Sequence, residues 1–236
     1  MRTSLSAPRP RDIMSAMVIR IGRYSILLLL PFVISACSSS PRGVIVLCAG
    51  DSLTAEAYPH LLQQILNRTG VRAKVLNYGR SGNTSGEYLR FLEENLLRLK
   101  AEQPDFILLQ LGTNDIRTDA DYAPTDVFVS RMKKITDHFR GFKNRAGKPS
   151  RILLGLIPPV PETVPLPFTP ASSRRIEAEI NPALRALAEE QGLVLVDNHA
   201  VFTARPELLP GVHPNRDGYR LLAENWLSAL RPFLGK

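Results

Sequence analysis

The chain has 236 residues, enough for one domain with a substantial core and too few for two. Hydrophobic residues make up 44% and charged residues 22%, the balance of an ordinary globular protein. The formal charge is +8, but no basic run and no basic–aromatic interleaving accompanies it, so a nucleic-acid partner is excluded.

The first segment is basic. Residues 1–36 hold Arg2, Arg9, Arg11, Arg20 and Arg23 against one acid, Asp12. An apolar run from Ile26 to Ile34 follows. At nine residues it is too short to cross a bilayer as a helix, which takes about 20. A basic stretch, a short apolar stretch and small residues are the parts of an export signal. The run ends in Ile34-Ser35-Ala36-Cys37, which resembles the lipobox of bacterial lipoproteins. That resemblance implies cleavage before Cys37, a diacylated and palmitate-bearing Cys37, and a membrane anchor in the cell envelope. No Asp follows Cys37, which by the same resemblance points to the outer membrane facing the periplasm. The expected organisation is a signal peptide over 1–36, a lipidated tether over 37–42 and one folded domain over 43–236. Ser38, Ser39, Ser40 and Pro41 suit a flexible tether. With Cys37 lipidated, Cys48 has no partner for a disulfide. It lies in an apolar run and reads as a small buried hydrophobe.

Beyond the tether, short apolar runs alternate with helical periodicity. Val44 to Cys48 predicts a buried strand. Leu61, Leu62, Ile65 and Leu66 predict a helix that closes near Gly70. Ala73 to Asn77 predicts a second strand, and Leu89, Leu92, Leu96 and Leu99 predict one helix over Tyr88 to Leu99. A third strand is expected at Phe106 to Leu111, then a helix through Phe128, Met132, Ile135 and Phe139. A fourth is expected at Ile152 to Ile157. The helix through Ile176, Ile180, Leu184 and Leu187 contains Pro182, which removes one backbone bond and predicts a kink. Leu193 to Val196 is the fifth predicted strand, and Tyr219 to Leu230 the last helix. Apolar, non-alternating strands separated by helices imply an α/β fold with a parallel sheet covered on both faces. Pro158 to Pro170 contains six prolines and can be neither helix nor interior strand. It follows the fourth strand at its carboxyl end, where ligands of open α/β sheets bind. It is read either as a substrate wall with Val160, Val164, Leu166 and Phe168 as acyl contacts, or as a stiff surface connection.

Four short motifs fall at strand ends. Gly50-Asp51-Ser52-Leu53 follows the first strand. It places a serine at the sheet edge and a helix start, with its N–H groups, beside it. Asn77 to Thr84 follows the second strand, with glycines at 79 and 82. Gly112-Thr113-Asn114-Asp115 follows the third, where an Asn amide can donate to a developing oxyanion. Gly211-Val212-His213-Pro214-Asn215 precedes the last helix and fixes a histidine in a stiff loop. A histidine is the usual base for a serine nucleophile. Of the other histidines, His60 and His138 fall within predicted helices, and His199 is the rival base.

These four blocks, in this order, resemble the SGNH subgroup of the GDSL hydrolases, which comprises serine esterases and lipases. The likeness spans Val44 to Leu234. It implies a flavodoxin-like three-layer α/β/α sandwich with five parallel strands ordered 2-1-3-4-5. It further implies Ser52 as nucleophile, His213 as base, and an oxyanion hole from the N–H groups of Ser52 and Gly82 and the amide of Asn114. No metal and no organic cofactor is implied. One departure stands out. The family pattern has Asp three residues before its histidine, and here that position is Pro210. The carbonyl of Pro210 or a neighbour is the expected ring acceptor, giving a Ser–His dyad. Asp197, Glu207 and Asp217 are the alternative carboxylates, and a weak or inactive site is the third outcome. The expected substrate is an acyl or acetyl ester or thioester on a small molecule, lipid or polysaccharide. The alternatives are a non-catalytic envelope lipoprotein and an acyltransferase on the same fold.

Overall fold

The structure, a computed structural model, describes residues 43–117, 123–161, 163–164 and 166–234. The export signal, Cys37 and the tether lie outside the described residues. All described residues belong to one unit, Pro41–Lys236.

Five parallel strands run β1 (Val44–Gly50), β2 (Ala73–Gly79), β3 (Phe106–Gln110), β4 (Arg151–Gly155) and β5 (Val194–Val196), in the spatial order 2-1-3-4-5. The sheet order agrees with the expected one. The apolar runs are continuous because both faces of the sheet are covered. In β1, Val46 and Cys48 enter one apolar cluster while Leu47 and Ala49 enter the other. The Cys48 thiol is wholly buried, and burial pushes it up to about 12. It is filler in the packing, as its position predicts.

Helix α1 (Ser52–Ala55) is a single turn directly after β1, and α2 (Tyr58–Arg68) leads to β2. The helix predicted over Tyr88 to Leu99 is two helices, α3 (Ser85–Glu94) and α4 (Leu96–Ala101). It begins earlier because Thr84 and Glu87 form a capping box, with Thr84 N–H donating to the Glu87 carboxylate at 2.8 Å. It breaks at Asn95, whose side-chain amide donates to the Phe91 carbonyl at 2.9 Å. An Asn that bonds the preceding turn competes with helix propagation. Helix α5 (Thr125–Arg140) carries Phe128, Met132, Ile135 and Phe139 into the core, as predicted.

After β4 come α6 (Pro170–Arg175), a π-helical turn (Ile176–Ile180) and α7 (Asn181–Gln191). The disturbance expected from Pro182 takes the form of that π turn, with the Asn181 N–H reaching back five residues to the Ile176 carbonyl. Helix α8 (Asn198–Thr203) follows β5, and α9 (Arg216–Leu230) ends the fold. Helices α2 and α9 cover one face, where Tyr58 and Trp226 stack with ring centroids 6.1 Å apart. Helices α3, α5 and α7 contribute to the other.

The proline-rich segment is a connection pinned from below. Val160 and Phe168 are buried in the core and Val164 packs against it. Only Leu166 of the four apolar side chains is exposed, at 80%. The acyl-contact reading of the segment therefore loses Val160 and Phe168 to the core.

Candidate active site

The site forms where the loops after β1, β2 and β3 meet the loop before α9. Asp51 links the first and third. Its carboxylate caps α1 by accepting the Leu53 N–H at 3.1 Å, and its other oxygen accepts the Thr113 N–H at 3.2 Å. Burial drives this carboxyl up to about 6, against the pull of the Leu53 and Thr113 N–H groups. Serine 52, the first residue of α1, is 5% exposed.

The second loop is held by two backbone bonds. Arg80 N–H donates to the Gly50 carbonyl at 2.8 Å, and Asn83 N–H to the Arg80 carbonyl at 3.1 Å. Gly79 lies so close to α1 that a Cβ there would stand 2.2 Å from the Ala55 nitrogen. At Gly82 the demand is conformational: φ is +79° and space around it is open. Asn114 sits in a one-turn 3₁₀ segment, Thr113–Ile116, and its amide donates to the Asn83 carbonyl at 3.0 Å. That bond uses one amide proton and leaves the other. The N–H groups of Ser52 and Gly82 donate to nothing among the described residues.

His213 is held from its carboxyl side. Asn215 caps α9 by accepting the Gly218 N–H at 2.9 Å, donates its amide to the Glu207 carbonyl at 3.1 Å, and gives its own N–H to Leu208 at 3.0 Å. Pro214 between them is buried. The result is His213 Nε2 at 2.8 Å from Ser52 Oγ, across 161 residues of chain. The histidine side chain is 46% exposed, so a substrate can reach it.

The groups expected to orient this ring do not. Among the described residues nothing hydrogen-bonds to His213 Nδ1. Pro210 is exposed, and its carbonyl makes no bond to the ring. Asp197 caps α8 by accepting the Ala200 N–H at 2.8 Å and pairs with Arg185 at 2.6 Å. Burial pushes its carboxyl up, but those two partners outweigh burial and hold it below the usual range. Glu207 pairs with Arg205 at 2.6 Å, and Asp217 is exposed in the first turn of α9. Nor is the rival base near: His199 lies in α8 with Nδ1 at 3.3 Å from Thr203 Oγ1. His60 faces Gln64 and His138 faces Glu93.

One carboxylate was not anticipated. Glu56 Oε1 stands 3.6 Å from His213 Nε2, and its other oxygen accepts the Tyr219 phenol. Its signal in the sequence was position: a residue four after Ser52 shares its helical face. Among the described residues no group of three His, Cys, Asp or Glu side chains is arranged to hold a metal.

A parallel sheet ordered 2-1-3-4-5 and covered by helices on both faces, with Ser52 and His213 in contact, defines the class: the α/β fold of the GDSL/SGNH proteins. More specifically, the chain belongs to the GDSL-like lipase/acylhydrolase family, whose profile matches residues 48–221. A multidomain esterase of Ruminococcus flavefaciens is 29% identical over 58% of this chain and 17% of its own length. An acetylxylan esterase of Xylanibacter ruminicola is 26% identical over 79% of this chain and 43% of its own. The chain thus spans less than half of these curated relatives. Among solved structures, a carbohydrate acetylesterase family member from Sinorhizobium meliloti superposes with a TM-score of 0.67 at 21% identity, covering 82% of this chain and 100% of that one. That likeness concerns the fold.

Proposed function

We propose that the chain is an esterase that forms an acyl-enzyme on Ser52, with His213 as general base. The observation that carries this reading is the 2.8 Å Ser52 Oγ–His213 Nε2 contact, with the Ser52 and Gly82 N–H groups unengaged among the described residues. The Ser52 hydroxyl donates to Nε2, loses its proton there as Oγ attacks the ester carbonyl, and the proton then leaves with the alcohol. The developing oxyanion is assigned to the N–H groups of Ser52 and Gly82 and the spare amide proton of Asn114. Water repeats the sequence to release the acid.

For the acyl group, we favour acetyl or another short chain on a carbohydrate. Two relatives and neighbours are named for acetyl esters, and the proline-rich segment turns most of its apolar side chains into the core. We further propose the lipid anchor on Cys37 in the outer membrane. Its support is the lipobox-like sequence. Among the described residues no helix is long and apolar enough to cross a membrane.

Fluorophosphonate labelling of the full chain tests the serine reading, since the probe needs an activated serine and no known substrate. Labelling lost in Ser52→Ala and His213→Ala supports it, and an unlabelled, folded parent sinks it. A p-nitrophenyl ester series tests the acyl preference, with long-chain esters outpacing acetate as the adverse result. Membrane fractionation and mass spectrometry of the parent and Cys37→Ala test the anchor; an unmodified Cys37 sinks it.

A further inference from the structure

Glu56 is the one carboxylate, among the described residues, with an oxygen within 4 Å of a His213 ring nitrogen. It stands on the same nitrogen, Nε2, that faces Ser52. Two anchors hold it there. Its backbone N–H donates to the Ser52 carbonyl at 3.1 Å, which sets it one helical turn from the nucleophile. Its Oε2 accepts the phenol of Tyr219 in the first turns of α9, the helix that follows the histidine loop. Burial, and then the Glu56 carboxylate itself, push the Tyr219 phenol upward, so it keeps its proton and remains a donor. The segments that bring in nucleophile and base therefore make a second contact with each other beside the reacting atoms.

We infer that Glu56 is a positioning residue that stabilises the His213 imidazolium while the proton is in transit, in a site where, among the described residues, no carboxylate bonds the ring's other nitrogen. The inference rests on the esterase reading above. As the base, the ring becomes cationic when it takes the proton from Ser52 Oγ, or from water in the second half-reaction. A carboxylate at 3.6 Å interacts with the neutral ring as charge with dipole, and with the imidazolium as charge with charge. The gain is therefore concentrated near the transition state. Glu56 is not on the proton's path, which runs from Oγ to Nε2 and then to the leaving alkoxide. It does not do what an Nδ1 acceptor does, since it fixes neither tautomer nor ring orientation from the far side. Both side chains are nearly half exposed, at 42% and 46%, so solvent screening keeps the effect moderate.

The test uses the full chain and four proteins besides the parent: Glu56→Gln, Glu56→Asp, Tyr219→Phe and the Glu56→Gln/Tyr219→Phe double variant. Fluorophosphonate labelling rate, kcat and KM on p-nitrophenyl acetate, and Tm are read for each. Glu56→Gln is expected to lower kcat about two-fold to five-fold, the scale of one partly screened ion pair, with KM and Tm unchanged. Glu56→Asp recovers part of the loss. Tyr219→Phe costs less, and adds nothing in the Glu56→Gln background. High salt narrows the gap between parent and Glu56→Gln. A labelled parent with a Glu56→Gln variant of equal kcat overturns the inference and leaves the esterase reading standing, as does full additivity in the double variant. An unlabelled parent overturns both.

Discussion

The Asp51 carboxylate accepts the backbone N–H of Thr113 at 3.2 Å. One side chain thereby ties the loop bearing Ser52 to the loop bearing Asn114. Both carboxylate oxygens are used, the second by Leu53. An amide in this place has one acceptor oxygen and presents a donor to the other N–H.

Asp51→Asn is therefore expected to leave one N–H unpaired, at about 1–3 kcal/mol, and to lower kcat by loosening Asn114 against Ser52. It should also change the pH dependence of stability. The folded-state value is about 6 against an ordinary 3.8, so between those values the folded chain holds the proton more tightly than the unfolded one. Stability from this group falls as pH rises through that window and is level above it, a change of about 3 kcal/mol at most. Asp115, also raised by burial, contributes with the same sign. Melting temperatures at pH 4.5 and 7.5 should show a steeper decline in the parent than in Asp51→Asn; equal slopes would contradict the argument.

Pro210 occupies the place from which the family pattern supplies a carboxylate, and His213 Nδ1 lacks a partner among the described residues. Pro210→Asp should raise kcat on p-nitrophenyl acetate by about ten-fold, a fraction of what a triad carboxylate contributes where it is native. Because Pro210 is exposed, Tm should hardly move. A folded variant with parental kcat would show that the loop carries this position away from the ring.

Two glycines of the second loop should fail differently. A methyl at Gly79 meets the Ala55 nitrogen at 2.2 Å, so Gly79→Ala must push β2 from α1, at roughly 1–3 kcal/mol. At Gly82 a methyl meets nothing, and the cost is the positive φ alone, about 1–2 kcal/mol. Thermal melting should rank Gly79→Ala as the worse for stability. For Gly82→Ala the expected sign is a kcat loss beyond what its Tm predicts, because relaxing φ re-aims the N–H. Equal losses of kcat and stability in both variants would remove Gly82 from the oxyanion assignment.

The sequence by itself determined the strands, because a run such as Val44-Ile-Val-Leu-Cys48 buried on both faces has to be apolar at every position. It determined the four motifs too, since each sits within a few residues of a strand end or helix start, where local chemistry is legible. Some local signals were present and passed over: Thr84 and Glu87 announce the start of α3, and Asn95 its end. The tertiary structure decided the contacts between distant segments. Asp197 sits at the end of β5 as expected, yet Arg185 and the α8 N-terminus claim its carboxylate. Val160 and Phe168 are apolar in a loop by the carboxyl edge, and the core takes them because burial there removes more surface from water than a cleft wall does. Glu56 and His213 are separated by more than 150 residues, and no periodicity encodes a pairing across that distance. It arises only when the residue that follows α1 meets the histidine loop and Tyr219 of α9, where the direction of each side chain is set by its neighbours.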